Sequence, residues 1–475
     1  MLMSAFAAQT EAPATPQSPW ADFRLIPRIE TWPAAVSFVQ TAPGKVLLLT
    51  LFGLGMRFFL PDLTAAAGLT FFFGIITFLP EYRRLVLAVA PILLVVREDF
   101  QDPLRVAATL LVIALGMGLY FCVMRWPKSL FARRPIVSLL SGFSLLIVLA
   151  CYSPSHSHTS TVLWGMVAVL ATYVWFIAYA VTDKSSKPAR DAPLELAALR
   201  PLWGSTNTPF PKGAAYLRRI EAKTPEQLAV VQLKGLKLLA WAVLLALFQN
   251  LWYRFFHGYL SIPLPDQAIA MSVHGTPVAW HLRWAAQILA YFELILSFSI
   301  FGHRFIACAR MAGFNALRNT CRPLSATTLI DFFNRFYYYF KELLVDFFYF
   351  PAFLRYFKKH RRLRTVFATC VALIIGDSFY HLTRDWTFLR NEGLWKGIAS
   401  YQVLFVYNTV LAIGLSISQL RRRKPRPKGF FRGRLLPSTG VAFFYILVIV
   451  FGSEARSFTL GQTLHYFASL FFIYY

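Results

Sequence analysis

Three side chains stand out for the chemistry they could share: Asn334, Asp377 and His381. Histidine is the usual side chain for taking a proton near neutral pH. Asp377 and His381 are four residues apart, so on a helix they share a face. A carboxylate so placed can fix the imidazole tautomer, as the third member of a triad does. An Asn amide or a Tyr hydroxyl, here Asn334 or Tyr337, can donate a hydrogen bond to a developing oxyanion. A base and an oxyanion donor are what attack by a hydroxyl on a carbonyl requires. Asn334 and His381 are 47 positions apart (381 − 334). A basic turn and one apolar helix lie between them, so that helix can bring His381 back over the segment carrying Asn334.

The elements that must position these residues are membrane helices. The chain has 475 residues, 57% hydrophobic and only 15% charged, against about 25% charged in soluble domains. The apolar residues fall in long continuous runs, and about 20 such residues cross the hydrocarbon core as a helix. Continuous rather than alternating runs argue against a β-barrel. The pattern predicts an all-α polytopic membrane protein with about ten to twelve transmembrane helices. The third apolar run, 84–97, is short enough to be partly buried or re-entrant. Residues 1–43 form a lead-in, cytoplasmic or interfacial, and 44–475 form a single membrane domain.

The net charge is +26, but its placement excludes nucleic-acid binding. Lys and Arg sit in short blocks between the apolar runs. The loop 183–235 holds nine and 421–434 holds eight, whereas 257–282 holds none. By the positive-inside rule the basic loops and both chain ends are cytoplasmic, which fits an inner cell membrane. The segment 326–354 breaks this alternation. It is aromatic and amphipathic, carries Asp331, Asn334, Arg335, Lys341, Glu342 and Asp346, and lies between two basic blocks. It is therefore expected to lie in the interface or to dip in and return.

This segment and the next helix resemble the membrane-bound O-acyltransferase family, in its alginate and teichoic-acid branch, over residues 326–385. Phe333-Asn334-Arg335-Phe336 stands where the family has W-N-R-W. Asp346-Phe347-Phe348-Tyr349-Phe350-Pro351 stands in place of D-Y-x-Y-x-P, and His381 falls at the family's near-invariant histidine. The chain departs at Tyr337 (for His), Val345 (for Arg) and Leu382 (for Gly), and Asp377-Ser378 precedes the histidine. The resemblance implies an O-acyltransferase moving an acyl group, such as acetyl, from acyl-CoA or another thioester to a hydroxyl of a glycan or lipid, without a metal. Its partners would be membrane lipid, the hydroxyl acceptor, and a further protein in or outside the membrane. The catalytic set would be His381, Asn334 and Asp377. The alternative is a non-catalytic acyltransferase-like scaffold or a transporter, and Tyr337 is the substitution that favours lost activity.

The remaining candidates read as structural. Tyr337, Tyr338 and Tyr339 are expected as aromatic-belt anchors, and Asp346 as the partner of a nearby Arg or Lys. His156 and His158 have an H-x-H spacing with no carboxylate or Cys nearby and read as a loop. The five cysteines form no CxxC pair. No P-loop, dinucleotide fingerprint, HExxH or GxSxG is present.

Overall fold

The computed structural model describes residues 25–471 apart from 99–102, 155–156, 184, 186–187, 205–207, 277, 422–428 and 453–456. His156 and most of the basic block after Arg421 lie outside the described residues. Every described element is helical, save one isolated antiparallel bridge between Glu221 and Phe314. Eight helices are long and apolar enough to cross a membrane: Val106–Arg125, Pro135–Tyr152, His158–Thr182, Pro225–Tyr259, Trp280–Met311, Arg361–Arg384, Leu394–Leu420 and Phe431–Ile449. The chain is an all-α, multi-pass integral membrane protein.

Two further pairs qualify only when taken together. Pro33–Gln40 with Ala42–Arg57 bends by 97°, and Leu63–Phe78 with Pro80–Val96 by 114°. Counted as one span each, they bring the total to ten, the lower end of the expected range. The first bend has a local cause. Thr41 Oγ1 donates to the Phe38 carbonyl at 2.6 Å and accepts from the Gly44 amide at 3.3 Å. A Cβ at Gly44 would fall 1.9 Å from that same carbonyl oxygen, so only glycine permits this turn. The second bend follows Pro80, which starts a short 3-10 turn and cannot continue the preceding helix. The last helix among the described residues, Leu460–Ser469, has 10 residues, too few to cross alone.

The basic loops are tied together by part-buried contacts of Arg and Lys with carboxylates and carbonyls. Arg84 bonds Glu221 at 2.7 Å, and the buried Arg83 donates to the Ala222 carbonyl at 3.0 Å. Arg218 bonds Asp183 at 2.6 Å and Glu195 at 3.2 Å. Lys237 pairs with Glu30, which anchors the lead-in against the helix Pro225–Tyr253. Glu195 is fully buried. Burial first, and then the neighbouring Asp183, push its carboxyl up to about 9, although Arg218 opposes this.

The segment 326–354 does not run straight. It divides into Leu329–Arg335, Tyr338–Leu344, a π-helical turn Val345–Tyr349 and Phe350–Arg355. The break falls at Phe336, whose backbone is non-helical (φ −88, ψ −125). The backbone groups freed by the break are taken up by the preceding loop. The Cys321 amide donates to the Arg335 carbonyl at 2.7 Å, and the Tyr338 amide to the Asn319 carbonyl at 3.0 Å. The Tyr339 amide donates to Asn319 Oδ1 at 3.2 Å. Backbone that leaves the helix at membrane depth survives only with such partners.

Two predictions follow from this frame. Cysteines placed at Arg322 and Arg362, in a background with the native cysteines replaced, should react with an impermeant maleimide from the same side; reaction from opposite sides would mean that the intervening segment crosses. Glu195 binds its proton more tightly folded than unfolded, so its stabilisation is complete below the ordinary carboxylate range and is lost as pH rises through about 9. The slope from this one group is up to about 1.4 kcal/mol per pH unit. Glu195→Gln, locked in the neutral form, should show a shallower fall in thermal midpoint than wild type between pH 6 and 9.

Candidate active site

His381 lies in the last turn of Arg361–Arg384, and this helix is not uniform. It is α-helical to Cys370, π-helical over Val371–Asp377, and α-helical again over Ser378–Arg384. Such π-bulges often mark functional positions because they rotate the face that follows. The bulge packs against the π-turn Val345–Tyr349. A Cβ at Gly376 would fall 2.7 Å from the Phe348 ring, so glycine here is what lets the two segments meet.

Asp377 and His381 are both buried, at 4% and 9% exposure. Asp377 Oδ2 is 3.7 Å from His381 Nε2, and Asp385 Oδ2 is 3.5 Å from Nδ1. The imidazole therefore sits between carboxylates four residues behind and four ahead. Both separations exceed hydrogen-bond range, and Nδ1 has no hydrogen-bond partner among the described residues. Asp385 was missed in the sequence, although its spacing from His381 repeats that of Asp377. Arg384 holds Asp385 in place with bonds of 2.9 and 3.0 Å. Trp175 fixes the far side of the turn by donating to Thr383 Oγ1 at 2.9 Å.

Asn334 sits in the short helix Leu329–Arg335, where Lys341 Nζ donates to its Oδ1 at 3.3 Å. A lysine only donates, so this contact requires the amide oxygen to face Lys341. Lys341 also bonds Glu342 at 2.6 Å, and Glu342 takes a second bond from Lys212 at 2.6 Å. Lys212 reaches Asp346 at 2.9 Å. Burial disfavours the charge on Lys212, but Asp346 and Glu342 outweigh it and hold the ammonium above its ordinary value. Burial likewise raises the Asp346 carboxyl against the pull of Lys212. For Glu342, burial is overcome by Lys341 and Lys212, and its carboxyl is lowered. The expected cationic partner of Asp346 is thus Lys212, 134 residues earlier in the chain, a pairing that spacing could not reveal.

The three tyrosines are not belt residues. Tyr338 and Tyr339 are 9% and 1% exposed, because the break at Phe336 turns them inward. Tyr339 donates to the Leu317 carbonyl at 2.9 Å. The Tyr337 hydroxyl lies 3.0 Å from Thr208 Oγ1, which lies 2.8 Å from the Tyr380 hydroxyl. The residue at the family's histidine position is therefore wired to the neighbour of His381.

Asn334, Asp377 and His381 line one cavity of about 2670 Å³. Its lining includes Arg361, Arg362 and Arg421, which share an end because Thr369 bonds Gln419 across the antiparallel pair at 2.9 Å. It also includes Asp266 and Gln267, whose helix packs on Val403 at the other end of that pair. The cavity therefore touches both ends of this helix pair, with Arg361, Arg362 and Arg421 at one and Asp266, Gln267 and Arg384 at the other.

Removing the lysine that pairs with the buried Glu342 and the half-buried Asp346 should cost about 3 kcal/mol. Lys212→Met should lower the denaturation midpoint in detergent, and Asp346→Asn in the same chain should recover part of the loss. A Lys212→Met protein as stable as wild type would show that the ion chain does not hold the segment.

Compared with known proteins, the chain matches no family model and no curated protein.

Proposed function

We propose that the protein is a membrane-embedded O-acyltransferase that moves an acyl group, such as acetyl, from a thioester donor to a hydroxyl of a glycan or lipid. The observation that carries this reading is that His381, Asp377 and Asn334, chosen for their chemistry, line the same cavity. The imidazole of His381 takes the acceptor's hydroxyl proton as the oxygen attacks the thioester carbonyl. Asp377 and Asp385 stabilise the imidazolium from either side. Asn334 donates to the oxyanion. Collapse of the tetrahedral intermediate breaks the C–S bond, and the imidazolium returns its proton to the departing thiolate. The charge alternation of the loops supports an inner cell membrane, cytoplasmic termini and a donor arriving at the arginine-lined end of the cavity. Tyr337 is the observation that favours the scaffold alternative, since a hydroxyl tied to Thr208 replaces the second histidine.

Purified protein should turn over acyl-CoA against a panel of glycan and lipid hydroxyls. His381→Ala should lower kcat by about 10²–10⁴ with little change in yield, and Asn334→Ala by about 10²–10³. Near wild-type transfer by His381→Ala would remove the base from the scheme. No turnover by wild type with any donor would leave the scaffold reading standing.

A further inference from the structure

The cavity holds a second polar group that the acyl-transfer scheme does not use. Glu293 lies mid-helix in Trp280–Met311, 6% exposed. It lines the cavity in a stripe with Ala290, Leu294 and Ser297, the i, i+3, i+4, i+7 face of the helix. Its Oε1 accepts from Trp252 Nε1 at 3.0 Å and lies 2.7 Å from His257 Nε2. No described residue hydrogen-bonds its Oε2.

The proton count follows from the hydrogen bonds. His257 Nδ1 lies 2.7 Å from the Ile262 carbonyl, which only accepts, so Nδ1 carries a hydrogen. Nε2 faces a carboxylate oxygen at 2.7 Å, so one proton lies between them. Whether the pair is imidazolium and carboxylate or imidazole and carboxylic acid, it has no net charge. A site of this kind attracts a neutral hydroxyl rather than a cation. Phe298, Phe333 and Phe336 line the same cavity, and the C–H face of a sugar ring packs well on aromatic rings.

We infer that Glu293, held by His257 and Trp252, is a binding subsite for the hydroxyl groups of a neutral glycan within this cavity. Calling that glycan the acyl acceptor rests on the acyl-transfer reading; the binding itself does not.

Trp252 touches the same oxygen and serves as the reporter. The protein labelled with 5-fluorotryptophan is placed in nanodiscs, and the Trp252 fluorine resonance is assigned by its loss in Trp252→Phe. Titration with cellotetraose or chitotetraose should shift it saturably. Glu293→Gln should need about tenfold more sugar, the expected loss when an acceptor oxygen is replaced by an amide nitrogen. Glu293→Asp, which keeps the carboxyl group but withdraws its oxygens, should weaken binding in the same direction and covers the case in which the glutamine variant does not fold. No saturable shift in wild type with either sugar would overturn the subsite. So would unchanged affinity in the folded variants, or a shift by tetramethylammonium at lower concentration than by the sugars. Glu293-dependent binding in a protein without acyl turnover would uphold the subsite and sink only its assignment as acceptor site.

Discussion

The Lys212 ammonium, set between Glu342 and Asp346, is the interaction on which the rest of the site depends. Two carboxylates on consecutive turns of a broken helix would repel each other and resist burial. Lysine between them turns that penalty into attachment, because leaving either carboxylate unpaired costs several kcal/mol. The chain of contacts continues through Lys341 to the oxygen of Asn334. The orientation of one amide in the cavity is thus set by a loop lysine more than a hundred residues earlier in sequence.

The break at Phe336 follows the same economy of polar groups. A straight helix over 326–354 would satisfy its own backbone but would turn its charged residues toward lipid. Breaking it frees backbone groups at Arg335, Tyr338 and Tyr339, and the loop at Asn319–Cys321 bonds each of them. What results is a bent segment whose Asp331, Asn334 and Lys341 line the cavity and whose Tyr338 and Tyr339 are buried in the core. The π-turn at Val345–Tyr349 and the π-bulge at Val371–Asp377 then meet at Gly376, which brings Asn334 and His381 into one space.

The polarity of the cavity is the property most relevant to what could enter it. Arginines line one end, Asp266, Gln267 and Arg384 line the other, and many aromatic rings line the same space. Glu293, paired with His257, lines the same space.

The sequence by itself determined the fold class, most of the membrane helices, the departure of 326–354 from the alternation of spans and basic loops, and the candidate trio Asn334, Asp377 and His381. These are readable because hydropathy, charge placement and helical spacing are local quantities that the bilayer enforces on each segment separately. It did not determine that Leu63–Phe78 and the helix after Pro80 form one sharply bent pair, since a bend angle depends on what each arm packs against. Nor did it disclose Lys212 beside Asp346, or the inward turn of Tyr338 and Tyr339. Only the tertiary structure decided those. Each is a contact between groups whose separation along the chain says nothing about their separation in space, or whose side of a helix is settled by a break elsewhere in the chain.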